Sequence, residues 1–260
     1  MRRSIKSMVR GMAVVFSSHL PYTALHNEGG NFSVLYFYFC LFCTFAPMNR
    51  KGKLYFRYGT MGSAKTALLL TTAYNFEERG VKYVCLKPII DTREKKNVIR
   101  SRIGIERECQ WIFAETDLYM LAEQMFQDNM AVIDWFLIDE AQFLTPEQVD
   151  QLSRIVDDFG SNVICYGLRT DFQTKLFEGS RRLFEIADTI DEIKSTCSCG
   201  RKTIVNARID SNGDIVDIGQ QVEIGGNDRY IAVCRKCWRN KRIEQASRVA
   251  LPFPEIKTQL

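Results

Sequence analysis

Two short stretches and one spaced set of cysteines carry the residue types best suited to chemistry. Gly59-Thr60-Met61-Gly62-Ser63-Ala64-Lys65-Thr66 has the form of a phosphate-binding loop, G-x-x-x-x-G-K-[ST], with alanine where the second glycine is expected. Such a loop turns successive backbone N–H groups toward a phosphate chain, sets a lysine at its transferring end and offers a hydroxyl to Mg²⁺. Ala64 is a departure because its Cβ must avoid phosphates where glycine has none. The second stretch, Asp139-Glu140-Ala141-Gln142, follows an apolar run. Its Asp139 is placed to hold Mg²⁺, directly or through water, and Glu140 to accept a proton or orient a nucleophile. The third feature is Cys197-Ser198-Cys199 with Cys234-Arg235-Lys236-Cys237. Two close pairs a few dozen residues apart fit four thiolates on a structural zinc, although C-x-C is less common than C-x-x-C. A redox pair or simple burial is the other reading of these thiols.

These residues need elements to position them, and the pattern supplies them. A strand-like run, 54–58, precedes the loop and a helix-forming run, 67–73, follows it, which is the order the motif requires. The helix is expected to reach Glu78 and stop at Gly80, a suitable left-handed cap. A second strand is expected at 81–86, with Asp91 and Arg93 beyond it at the edge where open α/β sheets bind ligands. Residues 94–107 are charged and lack apolar periodicity, so they read as a mobile surface loop, either a solvated face or a lid beside the phosphates. Leu118, Leu121, Ala122 and Met125 mark one face of a helix. Residues 132–138 form the apolar strand that delivers Asp139. Thr145, Pro146 and Gln148 give a capped helix start, with Val149, Leu152, Ile155 and Val156 on its buried face. Residues 162–166 read as a fourth strand, 181–187 as helix and 189–195 as a fifth strand. Alternating strand and helix predicts an α/β fold with a P-loop parallel sheet, and the two cysteine pairs predict a small C-terminal zinc-ribbon domain after it.

The 260 residues are 46% hydrophobic and 25% charged, which excludes wholesale disorder and suits one domain plus a small module. Of the net charge of +4, the first 47 residues carry +3, so the remainder has no general affinity for nucleic acid. Of the nine cysteines, Cys40, Cys43, Cys85, Cys109 and Cys165 sit in apolar or strand-like runs and read as small hydrophobes. Residues 1–47 are unlike the rest. Their apolar run, 32–46, is shorter than the ~20 residues of a membrane helix and begins too far in for an ordinary signal peptide. An export or anchor role is one reading; the preferred expectation is a natural start at Met48. The expected organisation is an N-terminal extension 1–47, a P-loop α/β domain 48–194, a zinc-binding domain 195–240 and a flexible tail 241–260.

Three functions compete for these parts. A nucleic-acid-dependent P-loop ATPase fits Asp139-Glu140-Ala141-Gln142, but such motors commonly need a second lobe to supply an arginine. A zinc-ribbon nucleic-acid binder leaves the phosphate loop unexplained. A small-molecule kinase uses every part, with ATP and Mg²⁺ on the loop and Glu140 taking the proton of an acceptor hydroxyl.

As a set and in order, the loop, Lys87-Pro88 with Asp91-Thr92-Arg93, Asp139-Glu140-Ala141-Gln142-Phe143, Gly167-Leu168-Arg169-Thr170-Asp171-Phe172, Val222-Glu223-Ile224-Gly225-Gly226, Tyr230 and the four cysteines resemble the type II thymidine kinases. The resemblance covers about residues 52–240. It implies a thymidine kinase of nucleotide salvage, transferring the ATP γ-phosphate to the 5′-hydroxyl of thymidine, with structural Zn²⁺ and a RecA-like kinase domain followed by a zinc-binding lasso. It further implies a cytoplasmic homotetramer, inhibition by the end-product triphosphate, and no nucleic-acid or membrane partner. By position, Glu140 corresponds to the general base; Gly59, Thr60, Met61, Gly62, Ser63, Ala64, Lys65, Thr66, Asp91, Arg93, Asp139 and Gln142 correspond to phosphate and magnesium contacts. Phe143, Phe172, Gln221, Val222, Glu223, Ile224, Gly225 and Tyr230 correspond to the thymine pocket, and Cys197, Cys199, Cys234 and Cys237 to the zinc ligands.

Overall fold

The central strands are apolar on both faces, as strands covered by helices on each side must be. In a computed structural model, which describes residues 51–89, 97–129, 132–210, 212–216, 218–219, 221 and 229–241, they form a six-stranded parallel sheet. All of these residues fall in one unit, Pro47–Leu260. The strands are β1 (Leu54–Gly59), β2 (Tyr83–Pro88), β5 (Gln110–Ile112), β6 (Trp135–Ile138), β7 (Asn162–Gly167) and β8 (Thr189–Ile193), in the spatial order β5-β2-β6-β7-β1-β8. Residues alternate between the faces with period two. Phe136, Ile138, Val163 and Cys165 meet Leu118, Ala122 and Phe126 of α2 (Leu118–Asn129), Val149, Leu152 and Ile155 of α3 (Pro146–Phe159) and Leu183 of α4 (Glu178–Ile186). Leu137, Ile164 and Tyr166 face the other way, against Leu69, Leu70 and Ala73 of α1 (Lys65–Glu78).

The helix ends follow local chemistry. Thr145 accepts from Gln148 N–H at 3.2 Å while Gln148 Oε1 accepts from Thr145 N–H at 3.1 Å, the expected capping box. The Gln148 amide also donates to Phe113 O at 2.9 Å, tying α3 to the segment after β5. At the end of α1 the chain turns through Gly80 at φ 64°, as expected.

Some boundaries depart from the sequence reading. β2 begins at Tyr83, not residue 81, because the Val81 amide is spent on Phe76 O at 3.0 Å, closing the end of α1. β6 begins at Trp135, since the Asp134 and Trp135 amides both donate to Lys82 O. β8 ends at Ile193, and Ser195 O instead accepts the Thr203 amide at 2.9 Å. The segment read as a surface loop at 94–107 contains an antiparallel pair, β3 (Val98–Arg100) and β4 (Glu106–Glu108). Ile99 supplies its reason, being buried in the α1-side core, while Arg100 and Glu106 pair across the exposed side at 2.7 Å. Short β5 extends the sheet edge beside β2, outside every strand that the sequence pattern marks.

After β8 the chain forms a second, antiparallel sheet in the order β10-β9-β11, from β9 (Val205–Ile209), β10 (Ile215–Val216) and β11 (Tyr230–Val233), followed by the short α5 (Arg235–Arg239). Its core of Val205, Ala207, Ile215 and Val233 includes Cys197, Cys234 and Cys237, packed against Cys199. Cys85 and Cys165 are buried in the main sheet and Cys109 is half-buried there; Cys40 and Cys43, like all of residues 1–47, lie outside the described residues.

Candidate active site

The phosphate loop leaves β1 at Gly59, where a Cβ would meet Ile193 O at 2.7 Å, so only glycine lets β1 and β8 close there. Gly62 turns at φ 74°, and Ala64 adopts φ 64°, ψ 22°, the left-handed conformation that a glycine would take without penalty. Lys65 opens α1 and is buried. Its Nζ donates to Thr60 O at 2.8 Å and Gly59 O at 3.3 Å, so the ammonium sits among the loop's own carbonyls. Burial lowers its pKa, and the nearby Glu140 and Asp139 carboxylates oppose that shift. Thr66 Oγ1 donates to Asp139 Oδ2 at 3.2 Å, joining the end of the loop to the end of β6. Burial, and then the neighbouring Glu140 charge, push the Asp139 carboxyl up to about 7.

Glu140 occupies the turn between β6 and a single 3₁₀ turn, Ala141–Phe143, with φ 52° and ψ 37°. Its Oε2 accepts from Gln142 Nε2 at 2.6 Å, and Gln142 Oε1 accepts from Leu168 N–H at 2.9 Å. Gln142 is buried, and its amide is committed to the carboxylate on one side and to the backbone after β7 on the other. The 3₁₀ turn is pressed on by α4, where a Cβ on Gly179 would meet Leu144 O at 2.5 Å and Ala141 O at 2.8 Å.

This donor set fits a nucleotide with a divalent cation. Thr66 and Asp139 offer hard oxygen donors, Lys65 offers the cation beside them, and Ser63 Oγ is buried in the loop without a hydrogen-bond partner among the described residues. The residues expected to form an acceptor pocket are brought together in part. Phe172 is buried, with the Arg208 guanidinium 4.2 Å from its ring centre, and Arg208 Nη2 donates to Tyr230 Oη at 3.1 Å. Gln221 Nε2 donates to Asp171 Oδ2 at 3.1 Å, next to Phe172. Phe143, half-buried, packs edge-on against Phe177 with ring centres 5.6 Å apart. Asp91 and Arg93, and Val222, Glu223, Ile224 and Gly225, lie outside the described residues.

Cys197, Cys199, Cys234 and Cys237 converge, all four sulfurs lying within 4.8 Å of one another. The first pair sits on a tight turn in which Cys197 N–H donates to Arg201 O at 2.7 Å and Gly200 adopts φ 81°. The second pair opens α5, where Cys237 N–H donates to Cys234 Sγ at 3.4 Å and helps pull that thiol down to about 6. A tetrahedral zinc with ~2.3 Å bonds needs sulfurs slightly under 4 Å apart, and Cys199 and Cys234 are 3.5 Å apart. The C-x-C turn therefore brings both of its sulfurs into the four-sulfur cluster.

Two residues that no motif singled out also reach the loop. Asn206 Oδ1 on β9 accepts from Met61 N–H at 2.7 Å, and Thr203 Oγ1 lies 2.8 Å from Thr60 Oγ1. Neither residue type nor spacing marks them, because the contact arises only when β9 folds back onto the loop.

A parallel sheet with a phosphate loop after β1, an acidic pair after β6 and an attached four-cysteine module defines a P-loop nucleotide-binding protein of the α/β class. A family model described as thymidine kinase matches residues 52–238, and the chain belongs to that family. It is 45% identical to the thymidine kinase of Rhizobium meliloti (strain 1021) over 192 residues, 74% of this chain and 98% of the relative. The thymidine kinase of Zymomonas mobilis subsp. mobilis is 48% identical over 184 residues, 71% of this chain and 94% of that one. The thymidine kinase of Pasteurella multocida (strain Pm70) is 45% identical over 190 residues, covering 73% and 97%. A solved structure titled as a DNA replication initiation factor aligns with a TM-score of 0.31 at 17% identity, over 64% of this chain and 47% of that one, a likeness too slight to bear on function.

Proposed function

We propose that this protein is an ATP:thymidine 5′-phosphotransferase, with Glu140 as general base. The observation that supports this most is the placement of Glu140. Its carboxylate is fixed by the Gln142 amide at 2.6 Å, one residue beyond the Asp139 that meets Thr66 of the phosphate loop. Glu140 takes the proton of the 5′-hydroxyl as that oxygen bonds to the γ-phosphorus, and the β–γ bridging oxygen departs with ADP. Lys65 and the loop N–H groups neutralise phosphate charge, and Thr66 and Asp139 would hold Mg²⁺. When bound, the magnesium ion supplies further neutralisation of the transferring group. Gln142 also acts as a positioning residue, its amide donating to Glu140 and accepting from Leu168 N–H.

On the acceptor side, Phe143, Phe172, Gln221 and Tyr230 are assigned to the thymine pocket. Zinc on the four cysteines holds the two ends of the lasso together and takes no part in the chemistry. Among the described residues no helix is long and apolar enough to cross a membrane; we place the enzyme in the cytoplasm as a homotetramer inhibited by its end-product triphosphate. Incubation of the purified protein with ATP, Mg²⁺ and each natural nucleoside in turn is the test. Thymidine monophosphate is the expected product. ATP hydrolysis without nucleoside, stimulated by nucleic acid, would favour a motor instead.

A further inference from the structure

Taking the kinase reading as its basis, we infer that the cysteine module positions the phosphate loop through Asn206 and Thr203, so that it governs donor binding as well as holding the acceptor lasso. Asn206 bridges two backbones, accepting from Met61 N–H at 2.7 Å and donating to Thr170 O at 3.2 Å. One partner is a donor and the other an acceptor, which fixes the orientation of the amide. Thr203 donates its hydroxyl proton to Ser195 O at 3.1 Å and therefore receives that of Thr60, 2.8 Å away. Thr60, Thr203 and Asn206 are all buried, so each of these bonds is shielded from competing water.

Both residues are in turn located by the cysteines. Thr203 follows the turn bearing Cys197 and Cys199, which is closed by the Cys197 N–H to Arg201 O bond and by a bridge between Thr196 and Lys202. Asn206 pairs with Ala232 in the β9–β11 ladder, two residues before Cys234. Drawing the four sulfurs together thus fixes the two side chains that set the first half of the loop, Thr60 and Met61. The second half is set by α1 and meets the first where Lys65 Nζ donates to Gly59 O and Thr60 O. Losing the module's grip leaves Lys65 and Thr66 on α1 while loosening the Thr60–Met61 backbone, whose conformation aims the N–H groups of the loop residues that follow it.

The test measures binding of the fluorescent analogue mant-ATP with Mg²⁺ to the full chain, without nucleoside, so it does not depend on which nucleoside is phosphorylated. Asn206→Ala and the near-isosteric Thr203→Val should each weaken mant-ATP about fivefold, the size of one hydrogen bond. Thr203→Ser should restore wild-type affinity. In turnover assays the Michaelis constant for ATP should rise while that for thymidine stays within about twofold. Chelating the zinc from wild-type protein should weaken mant-ATP by at least as much as Asn206→Ala. Unchanged mant-ATP affinity in Thr203→Val, equal losses for ATP and thymidine, or full affinity after the zinc is gone would each overturn the inference. Failure of wild-type protein to phosphorylate thymidine, with the mant-ATP pattern intact, would count against the kinase reading and not against the clamp.

Discussion

Ala64 and Glu140 are both non-glycine residues held in the left-handed backbone region, at φ 64° and 52°, and they lie on the two halves of the site. A side chain there costs about 1–2 kcal/mol, and such strain persists only where the surroundings impose it. For Ala64 the strain carries no visible benefit, since its methyl is exposed. Ala64→Gly is therefore expected to raise stability by ~1 kcal/mol in urea unfolding, with ATP affinity kept or improved. A loss of stability would show that the methyl is packed in solution. For Glu140 the same turn aims the carboxylate back at Gln142. Gln142→Leu, which keeps the volume and removes the amide, is expected to lower kcat about tenfold with the Michaelis constant for ATP unchanged. An equal change in both would assign Gln142 to nucleotide binding. The departure at Ala64 was legible in the sequence because the motif specifies glycine by position. The backbone of Glu140 and the two hydrogen bonds of the Gln142 amide were not, because a strand ending in Asp-Glu says nothing of how the chain leaves it.

Elements whose signals are local are legible in the sequence. Thr145, Pro146 and Gln148 encode the start of α3 within four residues, and the apolar face that follows is buried as its spacing requires. Thr145→Ala is expected to cost ~1 kcal/mol, measured by urea unfolding, by removing one side of the capping box. A change below the error of that measurement would mean that Gln148, held by Phe113 O, caps the helix alone. Elements created by distant partners were harder to see. β3, β4 and β5 are three residues each, and their strand character depends on Ile99 and Ile112 finding cores supplied by other segments. The same burial shapes the response to alkali. Cys85 on β2 is pushed up to about 12 from 9.0, chiefly by burial. A thiol raised in the folded state contributes stability that is complete below the unfolded pKa and is lost as pH rises through the folded value. Urea midpoints should therefore fall between pH 9 and 12, and Cys85→Val should flatten that fall relative to wild type. Parallel slopes for the two proteins would contradict the burial account.

Across the whole molecule, the main sheet brings the donor residues to one edge, and the cysteine module returns to that edge through β9. The module's existence was legible from four cysteines. Its contact with the loop was not, since nothing in Thr203 or Asn206 announces a partner more than a hundred residues away. Metal analysis of purified protein should find about one zinc per chain, lost in Cys199→Ser; an intact fold without metal would contradict a structural zinc. Phosphoryl transfer to a nucleoside hydroxyl with Glu140 as base is separated from mere nucleotide binding by one pair of measurements. Wild-type and Glu140→Gln proteins are assayed for thymidine monophosphate formation, with mant-ATP affinity measured on the same preparations. Glu140→Gln is expected to lose about a hundred- to ten-thousand-fold in kcat while binding mant-ATP as wild type does; turnover within a few-fold of wild type would contradict the assignment.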